Sequence, residues 1–181
     1  MQETAPQYIQ RVLGYIEGQD AIKVQRSTAA KLKKLVHGLT LKQLKWRSEP
    51  GKWSIGEILA HLADTEVVAS WRMRSVIGAS GTTIQPFDQD AWAAAFDYAK
   101  RDPKQSLETF RALRENNLAM LKALPRERWE SYGMHLERGK ETLVHLTRMF
   151  AGHDANHILQ VERIVGELKQ KSAVVPRKKR K

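Results

Sequence analysis

The chain has 181 residues and a formal net charge of +11, and it contains no cysteine. This length suits a single domain, since domains usually hold roughly 100–200 residues. The lack of cysteine excludes disulfides, thiolate zinc sites, iron–sulfur clusters and a cysteine nucleophile, so histidine, carboxylate or neutral oxygen donors must hold any transition metal. Five of the positive charges lie between Arg177 and Lys181, which leaves the remainder only mildly basic.

Neither a membrane span nor a secretory signal is evident in the sequence. No window approaches the roughly 18 uninterrupted apolar residues that a span requires, and residues 1–6 have neither the basic nor the apolar region of a signal peptide. We therefore expect a cytoplasmic protein with no membrane partner.

The first half of the chain predicts three helical segments. Apolar residues spaced three and four apart indicate a first stretch, which Gly18 loosens, and a second that ends near Gly38. A connector over residues 40–53 follows. Ser54 is then a natural N-cap, and Glu57 completes a capping box for a helix that runs to about Ile77.

The second half begins with a predicted loop over residues 78–86 and a short helix over residues 88–99. Asp102 caps the next helix, with Pro103 in its first turn and Pro125 as its stop. An irregular stretch to Lys140 precedes a last long helix over residues 142–169.

Together these segments predict an all-α fold, because period-two alternation is nearly absent. The expected architecture is an antiparallel four-helix bundle with a long connection that carries a short extra helix. We assign residues 1–170 to this single domain and residues 171–181 to a basic, flexible C-terminal tail.

The last helix holds the most informative pattern. Its apolar stripe runs in steps of three and four, and His153 and His157 lie in the middle of it at spacing i, i+4. This spacing places two imidazoles one turn apart on the same helix face. Polar rings inside an apolar seam need partners. A divalent metal is one such partner, and hydrogen bonds to other buried side chains are the alternative.

A third donor is available on the helix that Ser54 opens. His61 lies roughly 110° from the centre of that helix's apolar stripe, at the margin of the buried face, where it could reach into a cavity. The alternative is a histidine on the solvent flank, paired with Glu57 or Asp64.

Two sequence blocks resemble the DinB/YfiT-like superfamily of metalloenzymes. One is the run PGKWSIGEILAHL from Pro50 to Leu62, and the other is GHDANHILQ from Gly152 to Gln160. The resemblance covers about residues 20–168. The first helical stretch, residues 5–17, and the basic tail lie outside it.

This resemblance implies a four-helix bundle in which His61, His153 and His157 hold a divalent metal. Nickel or zinc is the first expectation, with iron or manganese as further options. The resemblance implies a hydrolase or a thiol-dependent transferase or isomerase, and because members of the family commonly form dimers we expect a homodimer. No residue of this sequence selects among these reactions, and a thiol would have to come from a cosubstrate because the chain has no cysteine.

Three carboxylates lie near the histidines in sequence. Glu57, Asp64 and Asp154 are candidates for a general base or for orienting a ligand imidazole. Each has a competing role, Glu57 in the capping box and Asp64 and Asp154 as solvated helix charges.

The pocket wall is expected from residues 78–99, where three aromatic residues could form a lid or simply pack on the bundle: Phe87, Trp92 and Phe96. The remaining histidines, at positions 37, 135 and 145, are not expected to be ligands.

The sequence therefore predicts a metal-dependent enzyme that activates water or a thiol for hydrolysis or transfer on a small molecule. One alternative is a non-catalytic metal- or ligand-binding stress protein. Another is a nucleic-acid-associated helical protein, for which the stretch from Arg177 to Lys181 would supply only nonspecific affinity.

Overall fold

Four long helices pack around one another and carry the candidate site between them. The structure is a computed structural model that describes residues 3–174, with side chains to Lys171. The helices are α1 (Ala5–Gly14), α2 (Ala21–Val36), α3 (Leu41–Leu44), α4 (Ile55–Gly78), α5 (Gln89–Ala95), α6 (Pro103–Lys122) and α7 (Leu143–Val174). The predicted basic stretch from Arg177 to Lys181 lies outside the described residues.

The bundle consists of α2, α4, α6 and α7. Helix α2 packs against α6 and α7, and α4 packs against the same two helices, so that the order around the bundle is α2, α6, α4, α7. Helix α1 lies against α7 on the outside. The predicted four-helix bundle with its extra short helix is thus confirmed.

Local signals in the sequence set the helix boundaries. Ser54 Oγ accepts a hydrogen bond from the Glu57 backbone N–H, while the Glu57 carboxylate accepts from the Ser54 N–H at 2.8 Å, which is the predicted capping box. Asp102 caps α6 with Pro103 at its first position. Helix α7 continues to Val174, beyond the predicted end near Lys169. In the part of the chain that the structure describes, no helix is long and apolar enough to cross a membrane.

A small sheet was not predicted. Strands β1 (Thr82–Ile84), β2 (Tyr132–His135) and β3 (Gly139–Thr142) form a three-stranded sheet in that order, with β1 parallel to β2 and β2 antiparallel to β3. Strand β1 lies in the segment expected to be a loop, and β2 lies in the stretch expected to be irregular. These two strands pair although they are about fifty residues apart in the sequence. Strands of three or four residues are too short to show a recognisable alternation.

The bundle interior is divided into two apolar clusters with polar residues between them. One cluster includes the residues of α4 up to Ala63 and the residues of α7 from Ile158 onward. The other includes the residues of α4 from Ala69 onward and the residues of α7 up to Phe150. Between these limits, or within one helical turn of them, all four helices contribute buried polar side chains: Gln25, Thr28, His61, Thr65, Glu66, Arg114, Asn117, His153, Asp154 and His157. We call this set the polar layer. It crosses the bundle at one level, and the three histidines belong to it.

Helix α1 approaches α7 so closely that only glycine fits at the contact. A Cβ atom on Gly152 would lie 2.1 Å from the carbonyl oxygen of Val12. Arg11 also donates a 2.7 Å hydrogen bond to Asn156 Oδ1, the residue before His157. Helix α1 therefore covers α7 beside the histidines.

We expect Gly152→Ala to destabilise the protein by about 1–3 kcal/mol, because an added methyl group must push α1 away. The matched control is Gly166→Ala on the same helix, where a Cβ meets nothing within 4 Å. That change should be neutral or stabilising by up to about 1 kcal/mol. Urea unfolding measures the free energies, and limited proteolysis reports release of α1. Equal stabilities for the two variants would contradict the close contact.

Candidate metal centre

Three histidines from two helices converge inside the polar layer. The Nε2 atom of His153 lies 2.9 Å from Nε2 of His61 and 3.1 Å from Nε2 of His157. All three rings are buried, with exposed fractions of 1% for His61, 8% for His153 and 5% for His157. Three imidazole nitrogens therefore face one point in the interior, as the sequence resemblance implied.

The positions of these atoms suit a divalent cation. Nitrogen ligands about 2.1 Å from an ion, at angles of about 90–110°, lie about 3.0–3.4 Å apart. The two contacts of His153 fall close to this range, and the potential ligand atoms of all three residues lie within 4.8 Å of one another. A single hydrogen on His153 Nε2 cannot serve both neighbours well, whereas a cation accepts three nitrogen lone pairs at once.

Gln160 orients one of the rings. Nδ1 of His157 lies 2.9 Å from Gln160 Oε1 and donates to this carbonyl, so its Nε2 carries the free lone pair. Among the described residues, Nδ1 of His61 and Nδ1 of His153 have no hydrogen-bond partner. Gln160 was part of the sequence block, but its spacing of three from His157 was not used to predict an orienting role.

Burial keeps the histidines neutral. It lowers the pKa of His61 and of His153 well below the ordinary value, and a proton on His157 would lower the pKa of both rings further. Burial also lowers the pKa of His157 to about 4, against a smaller opposing effect of the hydrogen bond to Gln160. Neutral imidazole is the form that binds metals.

His61 is buried rather than marginal because two aromatic residues cover the flank of α4. The Trp53 ring lies 4.9 Å from the His61 ring, centroid to centroid, and Phe87 stacks on it at 6.2 Å. Trp92 meets Phe87 edge-on at 4.7 Å, while Phe96 lies behind it, half exposed. The predicted aromatic wall thus lies beside the cluster, and its action as a lid stays a prediction.

Each of the three candidate carboxylates is bound to an arginine. Glu57 pairs with Arg47. Both oxygens of Asp64 accept from Arg101 at 2.8 Å. Asp154 pairs with Arg114. Among the described residues, none of the three carboxylates hydrogen-bonds to a histidine of the cluster. The choice of a general base among them stays a prediction.

Asp154 is not a solvated helix charge, which was the alternative considered from the sequence. It is 1% exposed and pairs with Arg114 in the polar layer, and its second partner is the hydroxyl of Thr28, which donates at 2.9 Å. Burial raises the pKa of Asp154, and the Arg114 charge opposes that rise. This carboxylate follows His153 directly in the chain, so its pairing holds the histidine in place.

Arg114 is the centre of the polar layer and was missed in the sequence. Its guanidinium donates to Glu66 at 2.9 and 2.6 Å, to Asp154 and to the backbone carbonyl of Gln25. Asn117 donates to the same Glu66 at 2.7 Å. The signal was present, because Arg114 lies four residues after the core residue Phe110 and so on the apolar stripe of α6.

The other histidines lie elsewhere. His135 is buried on β2, His145 lies 4.0 Å from Glu141 near the start of α7, and His37 caps the end of α2. Within residues 3–174, the group of side chains that could hold a metal consists of His61, His153 and His157.

Two cavities open on the cluster. One has a volume of about 360 Å³ and is lined by His157 together with Trp53 and Gln160. The other has a volume of about 500 Å³ and is lined by His153 together with Thr65 and Arg72. The centre can therefore be reached by small molecules.

The fold and the cluster define a four-helix-bundle protein with a buried three-histidine centre. The model of the DinB superfamily matches residues 26–161, and the chain belongs to that superfamily. The resemblance found in the two sequence blocks is thus confirmed, and α1 lies outside the matched residues.

The curated relatives carry names that refer to metal-dependent hydrolysis. The chain is 28% identical over 142 residues to the "Putative metal-dependent hydrolase YfiT" of Bacillus subtilis, covering 77% of this chain and 79% of the relative. A similarly named protein of Geobacillus kaustophilus is 27% identical over 146 residues, covering 80% and 82%.

A solved structure has the same fold. YfiT from Bacillus subtilis, described as "a probable metal-dependent hydrolase with an unusual four-helix bundle topology", superposes with a TM-score of 0.76 at 25% identity. The match covers 82% of this chain and 86% of that one.

Replacing the central arginine should be costly. We expect Arg114→Met to lower the free energy of unfolding by about 3–5 kcal/mol, because two buried carboxylates lose their counter-charge. Adding Glu66→Gln and Asp154→Asn to this variant should restore part of the loss. Arg111→Met, which removes an exposed arginine on the same helix, should cost less than about 1 kcal/mol. Chemical denaturation measures the three variants and the wild type, and equal losses for the two single variants would contradict the role of Arg114.

The metal-free protein should lose stability in acid. The ordinary pKa of histidine is about 6.5, so below that pH each histidine of the unfolded chain holds a proton. In the folded protein, His157 stays neutral down to about pH 4. The unfolded state therefore binds more protons in this window, and falling pH favours it. For His157 alone the loss reaches about 3 kcal/mol between pH 6.5 and pH 4.

Thermal unfolding of chelator-treated protein from pH 7.5 to pH 4 checks this expectation. His157→Asn removes one titrating ring and should flatten the decline between pH 6.5 and pH 4. An unchanged decline in that variant would show that other groups cause the acid sensitivity.

Proposed function

We propose that this protein is a metal-dependent hydrolase acting on a small organic molecule, with His61, His153 and His157 as the ligands of a divalent transition metal. The observation that carries the proposal is the convergence of three buried, neutral Nε2 atoms. The names of the relatives support hydrolysis as the reaction class.

Three protein ligands leave an open position at the metal. In such a site the metal, when bound, lowers the pKa of a coordinated water and polarises the bond under attack. The histidines supply the lone pairs, Gln160 holds one ring in the correct tautomer, and the Thr65 hydroxyl lies 3.3 Å from His61 Nε2 at the edge of the larger cavity. Phe87 and Trp53 exclude water from the flank of His61.

Three imidazole donors favour a divalent transition metal over a hard cation. Neutral imidazole suits zinc, nickel, copper and iron, whereas magnesium and calcium prefer oxygen ligands. We propose nickel or zinc, with iron or manganese as the next choices.

A thiol-dependent transfer is the second candidate. Two separate cavities meet the centre, one at His157 and one at His153, so that two substrates could approach it from different directions. Because the chain has no cysteine, the thiol would be a low-molecular-weight cosubstrate, and a metal held by the three histidines would lower its pKa.

Metal content tests the ligand set. We expect about one divalent ion per chain after purification without added metal. His153→Ala/His157→Ala should carry less than a tenth of that amount, and His145→Ala on the same helix should match the wild type. Inductively coupled plasma mass spectrometry gives the counts, and circular dichroism confirms folding. Equally little metal in the wild type and in the double variant would refute the site.

Turnover then separates the reactions. The metal-loaded protein is assayed on a panel of esters and amides, and separately on a small thiol with an aryl halide. Metal-dependent hydrolysis supports the first candidate, and thioether formation supports the second. Bound metal with no turnover in either assay would contradict both and favour a non-catalytic binding protein.

A further inference from the structure

Arg72 differs from Arg114, the other buried arginine among the described residues. Its side chain is 9% exposed, and it lines the cavity of about 500 Å³ that also contains His153. Its one hydrogen bond within the described residues runs from Nη2 to the backbone carbonyl of Gln85 at 2.6 Å. No carboxylate of residues 3–174 forms an ion pair with it. Arg114, by contrast, has two.

The acidic residues around this cavity are already engaged or exposed. Glu3 accepts two 2.8 Å hydrogen bonds from Arg11, and Glu141 pairs with Arg138. Glu137 also lines the cavity and its charge acts on Arg72, but it is exposed to solvent that screens that charge. Within the described residues, Arg72 is therefore a buried cation of this cavity that forms no ion pair.

An unpaired buried cation is costly unless a ligand supplies the opposite charge. Burial lowers the pKa of Arg72 to about 10, so the guanidinium still carries its charge at pH 7. Most of its five N–H donors remain available, and the guanidinium fork matches the two oxygens of a carboxylate. A group with a single negative charge balances a single arginine, whereas a phosphate monoester would bring nearly two charges.

An apolar groove continues from the same arginine. It has a volume of about 280 Å³, and Arg72 and Phe87 line both it and the larger cavity. Its remaining walls are largely apolar, with Trp71, Trp92 and Ile84 among them. A ligand whose charged group lies on Arg72 could therefore place an aromatic or alkyl group in this groove while its reactive bond faces His153.

We propose that the substrate is a small amphiphilic carboxylate, whose carboxylate binds Arg72 and whose apolar part lies in the groove beside Phe87. This inference rests on the proposed function for the reaction, but the binding of the carboxylate depends on Arg72 and not on the metal.

Binding of a matched pair of probes tests the proposal. Phenylacetate and phenylacetamide have nearly the same shape and differ in charge. Titration into the full chain is followed by calorimetry and by the fluorescence of the tryptophans. We expect the wild type to bind phenylacetate at least tenfold more tightly than phenylacetamide, both as the metal-loaded protein and after chelation.

Three variants locate the effect. Arg72→Gln, which can still donate to the Gln85 carbonyl, should lose the preference, and Arg72→Lys should keep part of it. Arg74→Gln, two residues along on the exposed side of α4, should bind like the wild type. His157→Asn, which does not line this cavity, should lose metal and keep the preference.

Three outcomes would overturn the proposal. The first is a wild type that binds the acid and the amide equally in both forms. The second is a preference seen only with metal present, and the third is a preference kept in Arg72→Gln, since in both cases the carboxylate would bind elsewhere. None of these outcomes affects the metal counts that test the three-histidine site, so the two proposals fail separately.

Discussion

The buried ion pairs of Arg114 are the constraint on which the rest of the structure depends. One guanidinium reaches carboxylates of α4 and α7 and a backbone carbonyl of α2, so a shift of any of these helices would leave a charge unpaired in the interior. Asp154 directly follows His153, and Glu66 lies five residues after His61. The pairing that aligns the helices therefore also aligns the histidines.

Placing the site in a polar layer between two apolar clusters has chemical consequences. The clusters stabilise the bundle on both sides and help to bury the imidazoles, which remain neutral and able to bind a cation. The two acidic groups of the layer, Glu66 and Asp154, are both ion-paired with Arg114, so the three histidines can act as ligands without a carboxylate among them. Of the two buried arginines in the described part of the chain, Arg72 is the one that has no ion-pair partner.

Much of the fold could be predicted because helical signals are local. Caps such as Ser54 and Asp102 and the apolar stripe of α7 depend on residues within a few positions of one another, and all lie where expected. The sheet could not be predicted, because its short strands gain their stability from partners far away in sequence. Gly133 illustrates this: a Cβ there would lie 2.5 Å from the Ile84 side chain, a contact that no local pattern reveals.

By itself the sequence determined the four bundle helices, the caps at Ser54 and Asp102, the spacing of His153 and His157 on one face, and the absence of thiolate ligands, but it did not reveal α3 within the predicted connector. Only the tertiary structure decided that His61 is buried, since that depends on Trp53 and Phe87 folding over its flank. It also decided which charges are paired, for the same reason: burial and ion pairing depend on what packs against a helix face, and the packing residues come from other parts of the chain.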